Sequence, residues 1–167
     1  RVSRDGQDIQ PITAGDFDYI STVGMDMKKG LVYFIASPDN YTQRYLYSAK
    51  LFGKGEVKRE SPMDEAGQHS YSMSPTGKWA VHTFSNAVTP PVIDMVSFPG
   101  HKSVRMIEDN AEAKAQYKAL GLNPKEFVKA KSGDLMLDVC MIKPVNFDPN
   151  KKYPVIIEVY GEPAGST

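Results

Sequence analysis

The residues that could belong to a serine-nucleophile site are Ser166 and the histidines His69, His82 and His101. Such a site needs a serine, a histidine base that accepts its proton, and an acid that orients the histidine. The chain contains no G-x-S-x-G turn, and Ser166 follows Gly165 without the second glycine of a nucleophile elbow. We interpret all three histidines as structural or surface residues. The sequence therefore predicts no nucleophile, acid or base within this chain.

Sequence patterns for metals and phosphate groups are also missing. No pair of histidine or cysteine residues has the local spacing of a zinc site, and Asp134, Asp138 and Asp148 do not form a calcium-binding loop. The glycines Gly161 and Gly165 bracket a segment that lacks the Gly-Lys-Ser/Thr ending of a phosphate loop. We therefore expect no cofactor and no metal.

The composition argues against nucleic-acid and membrane partners. The 20 Lys and Arg residues balance 20 Asp and Glu residues, so no net charge attracts a polyanion or an anionic membrane surface. No apolar run approaches the ~20 residues that a membrane-spanning helix needs. The single cysteine, Cys140, lies in an apolar alternation, and we interpret it as a small buried hydrophobic residue.

The elements before residue 109 show a weak internal repeat. Residues 30–37 align with residues 77–84, and at the same offset residues 46–53 align with residues 93–100. In both copies the first strand follows a turn with glycine at the same position, Gly30 or Gly77. The offset lies within the roughly 40 to 50 residues of a four-stranded propeller blade. Two blades cannot close a ring, so we expect their outer faces to require further structure.

Residues 109–121 predict a short helix. Asp109 is the expected N-cap, Glu112 completes a capping box, and Gly121 occupies the C′ position. One apolar stripe along this helix consists of Ala113, Tyr117 and Leu120. We interpret residues 109–122 as a connector between domains, and an ordinary helix inside a single domain is the alternative.

Strands are expected again after the helix. Residues 126–131 and 135–143 predict a hairpin around a turn at residues 132–134. Residues 153–160 predict a final strand, and its continuous apolar run at residues 155–157 is typical of a strand covered on both faces of an α/β sheet. Because neither end of the chain has the character of a complete protein, we expect an excerpt of a longer one.

Several segments resemble the prolyl oligopeptidase family of serine peptidases. Lys152-Tyr153-Pro154, the apolar strand after it, and the turn Tyr160-Gly161-Glu162-Pro163 resemble that family's Lys-Tyr-Pro opening, strand and Tyr-Gly-Gly-Pro turn. Residues 12–18, 45–48 and 107–110 resemble its dipeptidyl peptidase IV branch in particular. The resemblance implies a mainly β chain that holds the last blades of a β-propeller (1–108), a connector helix (109–122), and the first strands of an α/β-hydrolase domain (123–167).

The same resemblance implies a role for Tyr160. In this family the tyrosine of the turn donates its phenol O–H to the oxygen that becomes negative during acyl transfer, so Tyr160 is the expected oxyanion-hole donor. The second glycine of the family's turn is Glu162 here. A glutamate is strained where the backbone needs a positive φ, and it also brings a carboxylate close to an anion-stabilising site.

The implied activity is the release of N-terminal Xaa-Pro or Xaa-Ala dipeptides from peptides through an acyl-enzyme. This segment alone is expected to be inactive. A catalytically silent protein that uses propeller and hydrolase folds for binding is one alternative, and another branch of the family, such as an acylaminoacyl peptidase or an oligopeptidase, is the other. By resemblance, the expected location is periplasmic or extracellular, and the complete protein can be a homodimer.

Overall fold

A computed structural model describes residues 1–52 and 56–159. The described part of the chain contains ten strands and one helix, α1 (Ala111–Ala119). The strands are β1 (Tyr19–Asp26), β2 (Leu31–Ala36), β3 (Tyr45–Lys50), β4 (Lys58–Arg59), β5 (Gln68–Met73), β6 (Trp79–Asn86), β7 (Thr89–Ser97), β8 (Lys102–Glu108), β9 (Glu126–Ser132) and β10 (Leu135–Met141). In these ranges, no helix has the length and apolarity that crossing a membrane requires.

The first eight strands form two antiparallel sheets of four strands each. Strands β1 to β4 pair in sequence order to form sheet 1, and strands β5 to β8 pair in the same way to form sheet 2. The repeat found in the sequence is therefore confirmed, because its two copies cover β2 with β3 and β6 with β7. Two consecutive four-stranded meanders have the architecture of adjacent propeller blades.

The core lies where the two sheets pack against each other. Tyr33, Ile35 and Leu46 project from sheet 1 toward Ala80 and Val96 of sheet 2. The other face of sheet 1 carries a second buried cluster, formed by Val32, Phe34, Ala36, Tyr45, Tyr47 and Ala49 and covered in part by Ile12 and Phe17. Because side chains alternate between faces along a strand, the continuous apolar sequence of β2 supplies both clusters.

The turns before β2 and β6 use glycine in the way the sequence predicted. Gly30 has φ of 62° and Gly77 has φ of 66°, which is the left-handed region that glycine enters without a steric penalty. A Cβ atom on Gly77 would lie 3.0 Å from both N and Cα of Asp26, whereas one on Gly30 would meet only a side-chain atom of Phe52 at 3.5 Å. The turn of sheet 2 thus touches the backbone of sheet 1.

Helix α1 agrees with the predicted element at its C-terminal end and differs at its start. Gly121 has φ of 58° and donates its N–H to the carbonyl of Lys118, so the predicted C′ glycine is confirmed. The predicted N-cap is wrong: Asn110 is the cap residue, with left-handed backbone and no side-chain capping bond. Asp109 instead accepts a hydrogen bond from the N–H of Ala111. The left-handed backbone of Asn110 turns the chain sharply before the helix, so Asp109 is not the cap residue.

The helix makes limited contact with sheet 2. The phenol of Tyr117 donates a hydrogen bond of 3.3 Å to the carbonyl of Ala87, in the turn between β6 and β7. Glu112 accepts a hydrogen bond from Gln116 and does not close the predicted capping box. Leu120, the third member of the predicted stripe, is exposed. The cap residue Asn110 also donates its side-chain N–H to the carbonyl of Pro91 in β7, so the helix is held to sheet 2 near both of its ends.

The predicted hairpin is confirmed as β9 and β10, which pair antiparallel across a turn with Gly133 at φ of 60°.

The interpretation of Cys140 as buried is wrong, because this residue of β10 is exposed. Within the described ranges, the ribbon pairs with no other strand and its large apolar side chains, Phe127, Leu135 and Met136, face solvent. Phe127 and Met136 lie on one face of the ribbon and Leu135 on the other, so apolar side chains are exposed on both faces.

The strand predicted over residues 153–160 is not formed over its described part, residues 153–159. That segment has no assigned strand structure, and the side chain of Ile156 is 97% exposed. A strand of the buried parallel type needs hydrogen-bonding neighbours and layers on both faces. None of the ten described strands pairs with it.

The two turn glycines predict different costs of substitution. Gly30→Ala should lower the free energy of unfolding by about 1 to 2 kcal/mol, because alanine resists the left-handed region. Gly77→Ala should cost roughly 1 kcal/mol or more beyond that, because its Cβ would also press on the Asp26 backbone. Urea unfolding of both variants measures the difference, and equal costs would show that the contact between the two turns is loose.

Candidate functional site

The residues singled out from the sequence separate into two groups. Tyr160, Glu162 and Ser166 lie outside the described residues, so the oxyanion role of Tyr160 stays a prediction. The three histidines, which we interpreted as structural or surface residues, come together in one cluster in sheet 2 on the side that faces sheet 1. This histidine cluster comprises His69, His82 and His101 with the acidic neighbours Glu65 and Asp94.

Strand register places the members of the cluster on one face. His82 in β6 is directly opposite Tyr71 in β5 and Asp94 in β7. His69 is two residues before Tyr71, and residues two apart on a strand share a face. The backbone of His69 is also tied to sheet 1, because its N–H donates a 3.0 Å hydrogen bond to the carbonyl of Arg44.

A line of close polar contacts runs through the cluster. His69 Nε2 lies 2.9 Å from the backbone carbonyl oxygen of Glu65. On the other side of the same ring, Nδ1 of His69 lies 3.0 Å from Nε2 of His82. Nδ1 of His82 lies 2.9 Å from Oδ1 of Asp94. The ring planes of His69 and His82 are nearly parallel, with an interplanar angle of 13° and centroids 5.2 Å apart.

The two ends of this line decide which ring nitrogens carry protons. A carbonyl oxygen only accepts, so Nε2 of His69 must be the donor toward Glu65. A carboxylate only accepts, so Nδ1 of His82 must be the donor toward Asp94. A neutral imidazole has one N–H. In the neutral state, His69 Nδ1 and His82 Nε2 therefore point their lone pairs at each other across 3.0 Å.

The surroundings keep these rings neutral. His69 is 2% exposed and His82 is 4% exposed. Burial, reinforced by the charge of neighbouring His82 and His101, lowers the pKa of His69 to about 4. Burial also lowers the pKa of His82, although Asp94 acts in the opposite direction. The pKa of His101 falls to about 4, mainly because of burial and then because of His82.

The cluster also contains buried polar atoms without hydrogen-bond partners. In the described part of the chain these include Oε2 of Glu65, Nε2 of His101, and the hydroxyl of Tyr71, whose ring stacks on that of His82. Burial is the main cause that raises the pKa of Glu65 and of Tyr71. An unsatisfied buried polar group costs ~1 to 3 kcal/mol, so a group of them in one place marks an unusual site.

Glu60 connects the cluster region to sheet 1. Its Oε1 accepts a hydrogen bond of 2.8 Å from the hydroxyl of Ser48, and its Oε2 accepts one of 3.2 Å from the N–H of Gly100. Ser48 lies in β3, and Gly100 lies in the turn that precedes β8, next to His101. This buried acid therefore joins the two sheets through two charge-assisted hydrogen bonds.

Sequence reasoning missed this cluster because it tested only local spacing. A cross-strand site brings together residues from different strands, and His82 and Asp94 are such cross-strand partners. The signal that could have found it is the period-two alternation of β5 and β6, which puts His69, Tyr71 and His82 on the inward face. What the arrangement offers chemically is two imidazole rings and a carboxylate, with one possible ligand atom of each within 4.8 Å of the other two.

The three depressed pKa values predict an acid-sensitive fold. The charged and titratable groups around the rings are Arg59, Glu60, Glu65, Tyr71 and Asp94. The unfolded chain binds more protons than the folded chain between about pH 4 and 6.5. Stability should therefore be complete above pH 6.5 and fall below it, by up to ~1.4 kcal/mol per pH unit for each histidine.

Urea unfolding in metal-free buffer at several pH values measures this dependence. His101→Asn is the control, because asparagine tolerates the left-handed backbone that His101 adopts at φ of 48°. This variant should show a shallower loss of stability, since one titrating group is gone. A midpoint that does not change between pH 6.5 and 4.5 would contradict the assignment of neutral, buried rings.

Comparisons with known proteins agree on one family. The family model described as "Dipeptidyl peptidase IV (DPP IV) N-terminal region" matches residues 1–91. "Probable dipeptidyl-aminopeptidase B" of Coccidioides posadasii (strain C735) is 30% identical over 159 residues, which cover 93% of this chain and 17% of the relative. The protein of the same name from Emericella nidulans is 28% identical with the same coverage. The chain thus spans about a sixth of the length of the curated relatives it matches.

Solved structures show the same relationship. The crystal structure of Porphyromonas gingivalis dipeptidyl peptidase 4 matches with a TM-score of 0.82 and 29% identity, over 92% of this chain and 21% of that one. A structure from Bacteroides ovatus ATCC 8483 matches with a TM-score of 0.67 at 24% identity, over 85% of this chain and 20% of that one, which supports the fold. The chain therefore belongs to the dipeptidyl peptidase IV N-terminal region family, and its two four-stranded sheets are blades of a β-propeller.

Proposed function

We propose that this chain serves in a serine peptidase that removes Xaa-Pro or Xaa-Ala dipeptides from peptide N-termini through an acyl-enzyme. The observation that carries the proposal is the structural match to Porphyromonas gingivalis dipeptidyl peptidase 4 over 92% of the chain. The curated relatives are named dipeptidyl-aminopeptidases, which favours the same reaction class. Peptides are accordingly the substrates, and a homodimeric assembly rests on the family resemblance alone.

The proposal assigns three parts to the chain. Residues 1–108 form the end of the propeller, residues 109–122 form the connector, and residues 123–167 begin the α/β-hydrolase domain. The end of the last blade strand at Glu108 supports the first boundary. Gly121, which terminates α1, supports the second. The exposed apolar side chains of the β9–β10 ribbon and of residues 155–159 favour a third part that packs against further strands.

In the proposed mechanism, the propeller blades form a wall and Tyr160 takes part in the chemistry. A neutral phenol donates a hydrogen bond to the oxyanion as negative charge develops on it, and this bond is stronger in the transition state than in the bound substrate. The nucleophile, acid and base come from outside these 167 residues. The mechanism requires that the carboxylate of Glu162 stay away from the oxyanion, since a second negative charge beside it would oppose the reaction.

The first prediction from this proposal concerns the complete peptidase. Tyr160→Phe should lower kcat by about 10²- to 10³-fold with little change in KM, because it removes a donor that acts on the transition state. Hydrolysis of a chromogenic Xaa-Pro substrate measures both constants. A kcat that stays within a few-fold of the unsubstituted enzyme would exclude the oxyanion role.

Tyr153→Phe is the matched control for that measurement. The phenol oxygen of Tyr153 accepts a 2.9 Å hydrogen bond from the N–H of Asp148, which is a local structural contact. This variant should therefore retain kcat. If the unsubstituted protein itself shows no turnover of any N-terminally free peptide, the silent binding protein is the correct alternative.

The second prediction concerns the 167-residue chain alone. It should show no peptide hydrolysis, because the proposal places the nucleophilic serine and the histidine that acts as its base outside this chain. An assay with the same chromogenic substrate at high protein concentration tests this. Turnover above background that survives purification would show that a nucleophile exists within the chain.

A further inference from the structure

We propose that Glu65, His69 and His82 form a binding site for one divalent transition-metal ion of the Zn²⁺ type. The ligands are a carboxylate oxygen of Glu65, Nδ1 of His69 and Nε2 of His82. One ligand atom from each residue lies within 4.8 Å of the other two. This site is independent of the proposed peptidase chemistry, and it would brace the start of sheet 2.

The separation of the two ring nitrogens suits a metal ion. Zn²⁺ binds imidazole nitrogen at about 2.0 to 2.1 Å in tetrahedral geometry, which puts two ligand atoms a little over 3 Å apart. His69 Nδ1 and His82 Nε2 are 3.0 Å apart, so the ion would require the nitrogens to separate by a few tenths of an ångström and the rings to tilt until both lone pairs point at it. Two imidazoles and one carboxylate form a known three-ligand zinc set, and a water would fill the fourth position.

The proton positions favour a cation more strongly than the distances do. Both facing nitrogens are lone-pair atoms in the neutral state, because the opposite nitrogen of each ring is committed as a donor to Glu65 or Asp94. Two lone pairs at 3.0 Å repel each other. A metal ion between them converts this repulsion into two coordinate bonds.

The outer contacts are those that metal-binding histidines use. A ligating histidine almost always donates its other ring N–H to a carboxylate or a backbone carbonyl, which fixes its tautomer and orientation. His82 donates to the carboxylate of Asp94, and His69 donates to the carbonyl of Glu65. The structure therefore contains both supporting hydrogen bonds together with the ligand atoms they would orient.

Glu65 adds an independent observation. Its Oε2 is buried and has no hydrogen-bond partner. An unpaired buried carboxylate is costly unless it meets a cation. With an ion bound, the carboxylates of Glu65 and Asp94 together balance two positive charges, so the site becomes electrically neutral.

A proton is the other cation that could lie between the two rings. A proton shared between the rings would be held by two nitrogen atoms only. A divalent ion carries twice the charge and gains a third ligand from Glu65. The three ligand groups are thus better matched by a metal ion than by a shared proton.

The experiment titrates the chelator-stripped chain with Zn²⁺ by calorimetry and with Co²⁺ by visible absorption. We expect one ion per chain, Co²⁺ bands of a four-coordinate site, and a higher melting temperature in the presence of Zn²⁺. Glu65→Gln should weaken Zn²⁺ binding by at least tenfold. Asp94→Asn should weaken it by about 10- to 100-fold through the orientation of His82.

Asp64→Asn is the matched control, because it makes the same change in charge at the exposed neighbouring residue. Its affinity for Zn²⁺ should equal that of the unsubstituted chain. The proposal is overturned if no saturable binding occurs, or if Glu65→Gln and Asp64→Asn bind Zn²⁺ equally well. Glu65 lies in a loop and is only half-buried, so Glu65→Gln tests the site even if Asp94→Asn fails to fold.

Discussion

The packing of sheet 1 against sheet 2 is the interaction on which the rest of this structure depends. A single four-stranded sheet cannot bury both of its faces, and strands β2 and β3 are apolar on both. Sheet 1 meets this requirement by burying one face under the N-terminal segment and the other against sheet 2. The face of sheet 2 that completes this packing carries Ala80 and Val96, and the same face carries His69 and His82.

This shared face explains why a polar cluster can exist in the interior. The apolar contacts exclude water from the interface, which strengthens each hydrogen bond and raises the cost of each missing one. Glu60 satisfies its oxygens by bonding to Ser48 and Gly100. His69 and His82 each donate a hydrogen bond at the outer end of their pair, to Glu65 and Asp94, but no proton lies between the two rings. A fold that tolerates such a contact requires either compensation elsewhere or a ligand, and Glu65 is placed to hold one.

Sequence reasoning succeeded where the determining interactions are local. The left-handed glycines at Gly30, Gly77 and Gly121 follow from the chain next to them, and each was found from its pattern. The repeat was found because two blades solve the same packing problem with the same strand order. The predicted burial of Cys140 and the predicted strand over residues 153–159 were wrong, because both depend on which elements lie alongside. The histidine cluster was not predicted from the sequence for the same reason, since His82 and Asp94 meet only through strand pairing.

The proposed catalytic residue and the blades place different demands on the chain. A donor that stabilises an oxyanion must be held within about 0.5 Å of its productive position by neighbours that are themselves fixed. The residues that lead to Tyr160 have exposed side chains and no strand partners in the described part of the chain. Under the proposed domain assignment, strands of the hydrolase domain would hold this segment in place. The blades, in contrast, bury their core against each other within the described part of the chain.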